Sequence, residues 1–335
     1  MREHFADNIE IFICPACGGA LSQRNDLILC NRCRRSYHID HGIPLLYCAE
    51  DSHTASEGVT ETVKAFYERT LFPNYGRFEH VGDLIEKART GIFARLLDEQ
   101  LPYNVRILEV GCGTGQLSNF LGLAQRSVFG TDMSVGSLKL AQEFKTKHHL
   151  ERIGFYQMNL FKPVFKEETF PVVICQGVLH HTNDPLGGFR TICRLVQKGG
   201  YIIIGLYNVY GRISTDIRRV VIRIFGKSAG YLDPYLQRED VGEEVREAWF
   251  CDQYLHPHES KHTFGEVIKW FSQNDFIFVN SIPKLLPFSR FSDNEKLFIE
   301  NKIGSGLDHF ITQAGFIFSG FTNGGLFIMI GKRAG

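Results

Sequence analysis

The sequence predicts an α/β protein: a Rossmann-like sheet of seven strands with helices on both faces, preceded by a small metal-bound module. From Val105 onward, short apolar runs alternate with helix-like stretches, and this order is typical of parallel sheets. The apolar run 106–110 ends in three glycines at alternate positions, Gly111, Gly113 and Gly115. Two Cys-x-x-Cys pairs lie within the first fifty residues, where zinc modules carry such spacing.

Composition narrows the class of protein. The 335 residues are 44% hydrophobic and 22% charged, as in ordinary globular proteins. The formal net charge is zero, so no overall field attracts nucleic acid or membranes. The sequence contains no signal peptide pattern and no apolar run of membrane-spanning length. Since the nine cysteines follow no secreted disulfide pattern, we expect a reduced, cytoplasmic protein without a membrane span.

The amino-terminal pairs Cys14–Cys17 and Cys30–Cys33 are separated by twelve residues. Four thiolates in this spacing predict one tetrahedral zinc ion, with redox pairs or disulfides as the alternative. A unit of about fifty residues has little core of its own, so a metal ion would stabilise it. Four cysteine ligands fill the coordination sphere, which predicts a structural rather than a catalytic site. His38 and His41 are therefore not expected to be ligands.

Residues 9–47 resemble the zinc-ribbon activator subunits of tRNA and protein methyltransferases, whose members are partners of methyltransferases or fused to them. The resemblance rests on the four cysteines and on the apolar segments Ile11–Ile13 and Ile43–Leu46. We predict a ribbon domain over residues 1–50. Its Arg32, Arg34 and Arg35 are interpreted as a solvated face rather than an RNA-binding surface, because five basic residues meet six acids in this segment.

The remaining elements follow in order. Residues 51–104 are predicted as a linker (51–58) and helices over 60–100, interrupted by a loop at 71–76. Strands are predicted at 105–110, 127–131, 153–158, 172–176, 201–206, 276–282 and 326–330. Helices should begin near Gln116, Ser134, Asp184 and Thr263, the last with a capping box to Glu266.

The glycine turn lets a ligand approach the backbone at the end of a strand. Asp132 closes the next apolar run, about where nucleotide-binding folds place an acid for a ribose diol. The spacing G-x-G-x-G, with Gln116 in the following position, lacks the later glycine of dinucleotide sites. This pattern favours a ligand with one ribose and no pyrophosphate.

Four segments in the expected order resemble class I S-adenosylmethionine-dependent methyltransferases of the type 11 kind. They are residues 108–115, 129–132, 170–181 and 198–201. The resemblance implies a methyltransferase domain over residues 105–335 with S-adenosylmethionine as cofactor. It also implies cofactor contacts from Glu109, Gly111, Gly113, Gly115, Asp132, Met133, Asn159, Leu160 and Gln176.

Those contacts have separate roles and alternatives. Glu109 would bind the amino group of the cofactor, and Asp132 would accept both ribose hydroxyls. A cap or buried ion pair is the alternative for Glu109, and a helix cap for Asp132. Asn159 stands where many relatives carry an acid that receives the adenine amino group. Its carbonyl can accept the same hydrogen bond.

His180 and His181 follow the fourth predicted strand at the mouth of this cleft. One of them is a candidate general base, and the alternative is that both only shape the loop. The insertion 207–262 is predicted to cover the acceptor, with Tyr207, Tyr254, His256 and His258 as substrate contacts and Asp252 beside them. The H-E-x-x-H letters at 258–262 are not interpreted as a zinc protease, because the predicted helix begins after them.

Residues 212–227 predict a basic amphipathic helix inside this insertion. Three interpretations remain open: a solvated lid, which we favour, a membrane-surface patch, or a clamp for an acidic acceptor.

The leading functional hypothesis is a methyltransferase acting on a small-molecule or lipid-like acceptor. The alternatives are an RNA methyltransferase that docks RNA with its ribbon, and a non-catalytic cofactor-binding scaffold. Zero net charge and a neutral ribbon do not favour RNA. The acceptor, the methylated atom and the oligomeric state are not encoded in any motif of the chain.

Overall fold

The computed structural model describes residues 4–49, 55–71, 80–239 and 241–335. Near the amino terminus lies a four-stranded antiparallel sheet with strand order β1-β2-β3-β4. Its strands are β1 (Leu21–Arg24), β2 (Leu27–Cys30), β3 (Ser36–Asp40) and β4 (Ile43–Pro44). This small sheet carries the cysteine pairs on its turns, as expected for a zinc ribbon.

Three helices follow: α1 (Ala55–Arg69), α2 (Val81–Thr90) and α3 (Ile92–Gln100). The predicted linker 51–58 is wrong from Ala55 onward, because the chain is already helical there; residues 51–54 lie outside the described part. One side of α1 carries Thr60, Val63 and Tyr67 against the central cavity, so tertiary packing stabilises a weakly amphipathic segment. Of the predicted loop 71–76, residues 72–76 also lie outside the described part.

The main sheet has seven strands in the order β10-β11-β9-β8-β5-β6-β7, which confirms the predicted fold class. The strands are β5 (Arg106–Val110), β6 (Ser127–Asp132), β7 (Ile153–Gln157), β8 (Phe170–Gln176), β9 (Val196–Tyr207), β10 (Phe276–Ile282) and β11 (Leu326–Arg333). Only β11 runs antiparallel to its neighbours. The strand order reverses between β5 and β8, and ligands of such sheets bind at that point, beyond the carboxyl ends of the strands.

The helices that flank this sheet are α4 (Gln116–Gly122), α5 (Val135–Lys147), α6 (Pro185–Cys193), α9 (Phe264–Gln273) and α10 (Gly306–Asn323). Side chains of Ser134, Asp184 and Thr263 cap α5, α6 and α9 by accepting hydrogen bonds from backbone N–H groups of the first turn. The predicted starts of these helices are therefore confirmed, including the capping box at Thr263. Of the described helices, none has both the length and the hydropathy to cross a membrane.

The insertion between β9 and α9 forms a cover over the carboxyl ends of the strands. It contains α7 (Ile213–Phe225), α8 (Glu243–Phe250) and one π-helical turn, Cys251–Leu255. Residues 258–262 are not helical, and Glu259 pairs with Arg212 and Arg219. The H-E-x-x-H letters thus form no protease site, as predicted.

The ribbon packs directly on the edge strand β7. Leu45 pairs in parallel with Gln157, and Phe12 pairs with Phe165. The ring of Phe12 lies 4.9 Å from that of Tyr156 and 4.8 Å from that of Phe165. Ribbon and sheet therefore share one core, and the ribbon covers a strand edge that would otherwise expose unpaired backbone groups.

Candidate active site and cysteine cluster

A cavity of about 430 Å³ opens at the carboxyl ends of the central strands. Its walls come from α1, from the turn after β5, from the ends of β6 and β8, and from the insertion. Three carboxylates line it, Glu109, Asp132 and Asp252. Of the described lining residues none is lysine or arginine, so the cavity is electrostatically suited to a cationic ligand.

The glycine turn after β5 forms the floor of the cavity. Gly111 has φ +71°, and a Cβ built on it would lie 2.2 Å from a methyl carbon of Val178. Only glycine therefore lets this turn pass against the segment after β8. Gly113 also lines the cavity, whereas Gly115 does not. A Cβ on Gly115 would lie 2.6 Å from Ala141, so that glycine serves helix packing instead of the predicted ligand contact.

Asp132 ends β6 and lines the cavity. Its Oδ2 accepts the backbone N–H of Gly113 at 2.8 Å, and its Oδ1 accepts that of Ser134 at 2.9 Å. Burial raises the pKa of this carboxyl above its ordinary value. Ser134, not Asp132, caps α5. The oxygens of Asp132 are thus held in place, and each keeps a lone pair for a ligand hydroxyl.

Glu109 lies at the inner end of the cavity, buried beneath the glycine turn. The hydroxyl of Ser118 donates to its Oε2 at 2.5 Å. Burial raises its pKa to about 7. Among the described residues Glu109 forms no ion pair, which does not support the alternative that it is part of a buried ion pair. A cationic ligand group beside Glu109 would restore the charged form of the carboxylate.

Gln176, at the end of β8, lines the same half of the cavity. Its Nε2 is buried without a hydrogen-bond partner among the described residues. Such donors are rare in folded proteins, and this one is available to a ligand acceptor. Met133 and Leu160 also line the cavity, together with Met158 and Phe161.

Asn159 is not among the lining residues. Its Nδ2 donates to the carbonyl of Cys48 at 3.3 Å, and its Oδ1 accepts the backbone N–H of Phe161 at 3.0 Å. The predicted adenine contact is therefore replaced by a structural role at the junction with the ribbon. Apolar side chains, not an amide, form the cavity wall at this position.

His181 faces the cavity opposite the glycine turn. Its Nδ1 lies 2.9 Å from the carbonyl oxygen of His258 and can only donate to it. The proton is therefore on Nδ1, and Nε2 carries the free lone pair. Burial lowers the pKa of this imidazole to about 4, so it is neutral at physiological pH. A neutral histidine with a fixed tautomer presents one lone pair that can accept a proton.

The other predicted histidines lie behind His181. His180 is completely buried with its ring 4.0 Å from that of Tyr207, and it does not line the cavity. The ring of His256 lies 3.7 Å from that of His181. His258 contributes its backbone carbonyl only. These residues set the position of His181 and are not placed to touch an acceptor.

Of the four predicted substrate contacts, only Tyr207 lines the cavity. Tyr254 instead donates to Asp233 Oδ2 at 2.8 Å and packs against Phe250 inside the insertion. Its position in the insertion predicted that Tyr254 would line the cavity. The π-helical turn instead directs the neighbouring side chains of Asp252 and Gln253 into the cavity.

Sequence reasoning missed Tyr67, Trp249 and Gln253, which also line the cavity. Tyr67 donates to Asp252 Oδ1 at 3.1 Å, and Gln253 Nε2 donates to Asp252 Oδ2 at 2.9 Å. Burial raises the pKa of Asp252 above its ordinary value. The helical spacing of Val63 and Tyr67 could have indicated that both lie on one side of α1. No local pattern in the sequence, however, predicts that this side contacts the insertion.

The four cysteine sulfurs of the ribbon all lie within 4.8 Å of one another. Cys14 and Cys33 are 3.7 Å apart, and Cys17 and Cys30 are 3.5 Å apart. Tetrahedral Zn–S bonds of about 2.3 Å require sulfurs about 3.8 Å apart, so the cluster fits zinc. Backbone N–H groups of Arg32 and Cys33 point to Cys30 Sγ at 3.4 Å. No second group of this kind occurs in the described residues.

Comparisons with known proteins agree with this geometry. Residues 108–204 match the family described as the methyltransferase domain. An uncharacterized protein of Synechococcus sp. is 26% identical over 201 residues, which are 52% of this chain and 48% of that protein. The ubiquinone biosynthesis O-methyltransferase of Alkalilimnicola ehrlichii is 32% identical over 104 residues, 31% of this chain and 42% of that protein. The chain thus spans less than half the length of these curated relatives.

Among solved structures, PKMT2 of Rickettsia typhi aligns with a TM-score of 0.50 at 14% identity. The alignment covers 72% of this chain and 52% of that protein. At this identity the likeness shows a shared fold.

Proposed function

We propose that this chain, which contains a class I S-adenosylmethionine-dependent methyltransferase domain, methylates a small-molecule or lipid-like acceptor bound against His181. The observation that supports the proposal most is the single cavity that joins two chemically different halves. One half has the glycine turn with Glu109 and Asp132. The other is walled by aromatic and polar side chains of α1 and the insertion, among them the buried carboxyl of Asp252.

In the first half we assign the donor. S-adenosylmethionine supplies an activated methyl group when bound. Asp132 would hold its ribose hydroxyls, and Glu109 would bind its ammonium group, because both carboxylates line a cavity whose described lining contains no lysine or arginine. The free Nε2 of Gln176 would donate to its carboxylate. The apolar side chains of Met133, Leu160 and their neighbours would pack against the adenine.

In the second half we assign a hydroxyl-bearing acceptor. The Nε2 of His181 would take the hydroxyl proton as the acceptor oxygen bonds to the methyl carbon. The cofactor would supply the methyl group, and its sulfur would keep the electron pair of the sulfur–methyl bond. The names of several partial relatives, the ubiquinone biosynthesis O-methyltransferases, support O-methylation of a small molecule.

The cavity does not favour the RNA alternative. Phosphates are bound mainly by lysine and arginine, and the described lining contains neither. Aromatic walls from Tyr67, Tyr207 and Trp249 suit an apolar or aromatic acceptor instead.

The cysteine cluster is assigned a structural zinc ion. Its four ligands would be Cys14, Cys17, Cys30 and Cys33, which leave no coordination position for chemistry. The metal ion would hold together the two cysteine-bearing turns of the ribbon, whose strand β4 contacts β7. The ribbon thus acts in our proposal as a built-in support for the cofactor domain.

Binding of the cofactor tests the proposal directly. Calorimetry with S-adenosylmethionine or its demethylated product is expected to show binding to the wild type. Asp132→Ala should weaken it by about tenfold or more, about 1.4 kcal/mol. Asp293→Ala is the matched control, since that side chain is 77% exposed on a loop and does not line the cavity. Absence of binding by the wild type would refute the function.

Cofactor affinity should also depend on pH through Glu109. Burial raises its pKa to about 7, and an ammonium group beside it would lower that pKa. Binding therefore releases a proton below about pH 7, and affinity should fall as the pH decreases from 7 to 5.5. Calorimetry in two buffers of different ionisation enthalpy measures the proton release. Glu109→Gln should abolish it; an unchanged release in that variant would contradict the assignment.

A further inference from the structure

Helix α7 packs Val221 and Ile222 inward, yet it also exposes a row of apolar side chains. Its apolar side chains Ile217, Val220, Ile224 and Phe225 are between 56% and 69% exposed, whereas the side chain of Arg212, just before it, is completely buried. Surface helices normally direct their apolar side toward the core. A partner that contacts these exposed apolar side chains would explain why they face outward.

Ion pairs fix this orientation. The guanidinium of Arg212 contacts Glu259 at 2.5 Å, and that of Arg219 contacts the same carboxylate at 2.6 Å. Asp216 pairs with Lys261. Turning α7 to bury its apolar side would expose the apolar core beneath it and leave Glu259 buried without its partners. That is costly, because an unpaired buried charge is strongly destabilising.

Two elements that contact α7 also expose apolar side chains. Tyr231 and Leu232 are exposed in the 3-10 helix that follows. The neighbouring helix α10 packs against α7 and carries the exposed side chains Leu307, Phe310 and Ile311 at helical spacing. Single exposed apolar residues are common, but stripes on two packed helices mark an interaction surface.

The exposed charge on the outer side of α7 is basic. Arg223 is exposed between Val220 and Ile224, whereas Lys227, after Phe225, is paired with Glu247 at 2.6 Å. The single acid of α7, Asp216, is occupied by Lys261 and Arg219. Exposed apolar and aromatic residues together with cations are typical of helices that lie in the interface of an anionic membrane.

We propose that the exposed side of α7, defined by Ile217, Val220, Ile224 and Phe225, docks on the surface of an anionic lipid bilayer. A second copy of the chain fits less well, because α7 offers no unpaired acid to receive Arg223 across such an interface. This inference goes beyond methyl transfer and holds whether or not the acceptor is a lipid. Docking would also bear on the cavity, because Arg212 donates to the carbonyl of Gly324, a residue that lines the cavity. The cavity wall is thus tied to the membrane-docking helix.

Vesicle flotation of the full chain tests the proposal. Wild type should float with vesicles of phosphatidylcholine and phosphatidylglycerol and bind less at high salt and to pure phosphatidylcholine. Val220→Ser/Ile224→Ser should lower the partition coefficient by about tenfold or more, because each replacement removes an apolar side chain from the buried face. Arg223→Gln should weaken binding to the anionic vesicles only.

Tyr103→Ser is the matched control, since this exposed aromatic residue precedes the amino end of β5, whereas the insertion covers the carboxyl ends of the strands. It should float like wild type. Melting temperatures of all variants should be unchanged, because the replaced side chains are exposed. Wild type that fails to float would overturn the proposal. So would light scattering that shows a wild-type dimer which Val220→Ser/Ile224→Ser converts to a monomer. Binding of S-adenosylmethionine to the wild type is measured in parallel. Absence of that binding would refute the methyltransferase assignment but not the membrane-docking proposal.

Discussion

His181→Asn is expected to lower the rate of methyl transfer by about 10²- to 10⁴-fold, the usual contribution of a general base. Affinity for S-adenosylmethionine should be nearly unchanged, because the replaced ring stands in the acceptor half of the cavity. Asparagine keeps a donor for the carbonyl of His258 but has no basic nitrogen. The measurement is single-turnover transfer of a labelled methyl group to the acceptor found in a screen of phenols and lipid extracts.

The pH profile separates this role from a structural one. His181 is active as a base when neutral, and its pKa is about 4, so the rate should be level above pH 5.5 and fall as the pH decreases through 4. This branch should be missing in His181→Asn. His256→Asn is the control, because that ring packs on His181 without lining the cavity, and it should keep the profile with a smaller loss of rate. A variant at 181 with the full wild-type rate would refute the assignment.

Most residues predicted to contact the cofactor line the glycine-turn half of the cavity, because the signals that identify them are local. Gly111 and Gly113 adopt positive φ angles, which side chains disfavour. Asp132 ends β6, which pairs in parallel with β5, so its carboxylate lies beside the glycine turn. Both features can be recognised from a short window of sequence. The seven strands and the capped helix starts follow from the same kind of local pattern.

The acceptor half was predicted less well, because it depends on contacts between distant segments. Tyr67 and Asp252 are 185 residues apart in the chain and meet in one hydrogen bond. The π-helical turn sends Asp252 inward and Tyr254 into the insertion, and no periodicity of the sequence distinguishes the two. The basic helix was predicted correctly as amphipathic, but its orientation depends on Glu259, 40 residues beyond Arg219.

Cys30→Ser should have the largest effect on stability. Cys30 is completely buried, its sulfur accepts two backbone N–H groups, and zinc binding contributes most of the folding energy of small modules. Because the ribbon shares its core with β7, we expect a loss of about 5 kcal/mol or more, a decrease of about 10 °C in melting temperature.

Metal analysis and calorimetry measure this effect. Wild type should contain one zinc ion per chain, and a strong chelator should reproduce the decrease seen in Cys30→Ser. Cys251→Ser is the control, because Cys251 is half-buried and distant in sequence from the cluster. Since Asn159 joins the carbonyl of Cys48 to the segment that carries Leu160, loss of zinc should also weaken cofactor binding. Unchanged melting after complete zinc removal would show instead that the ribbon is held by its packing on the sheet alone.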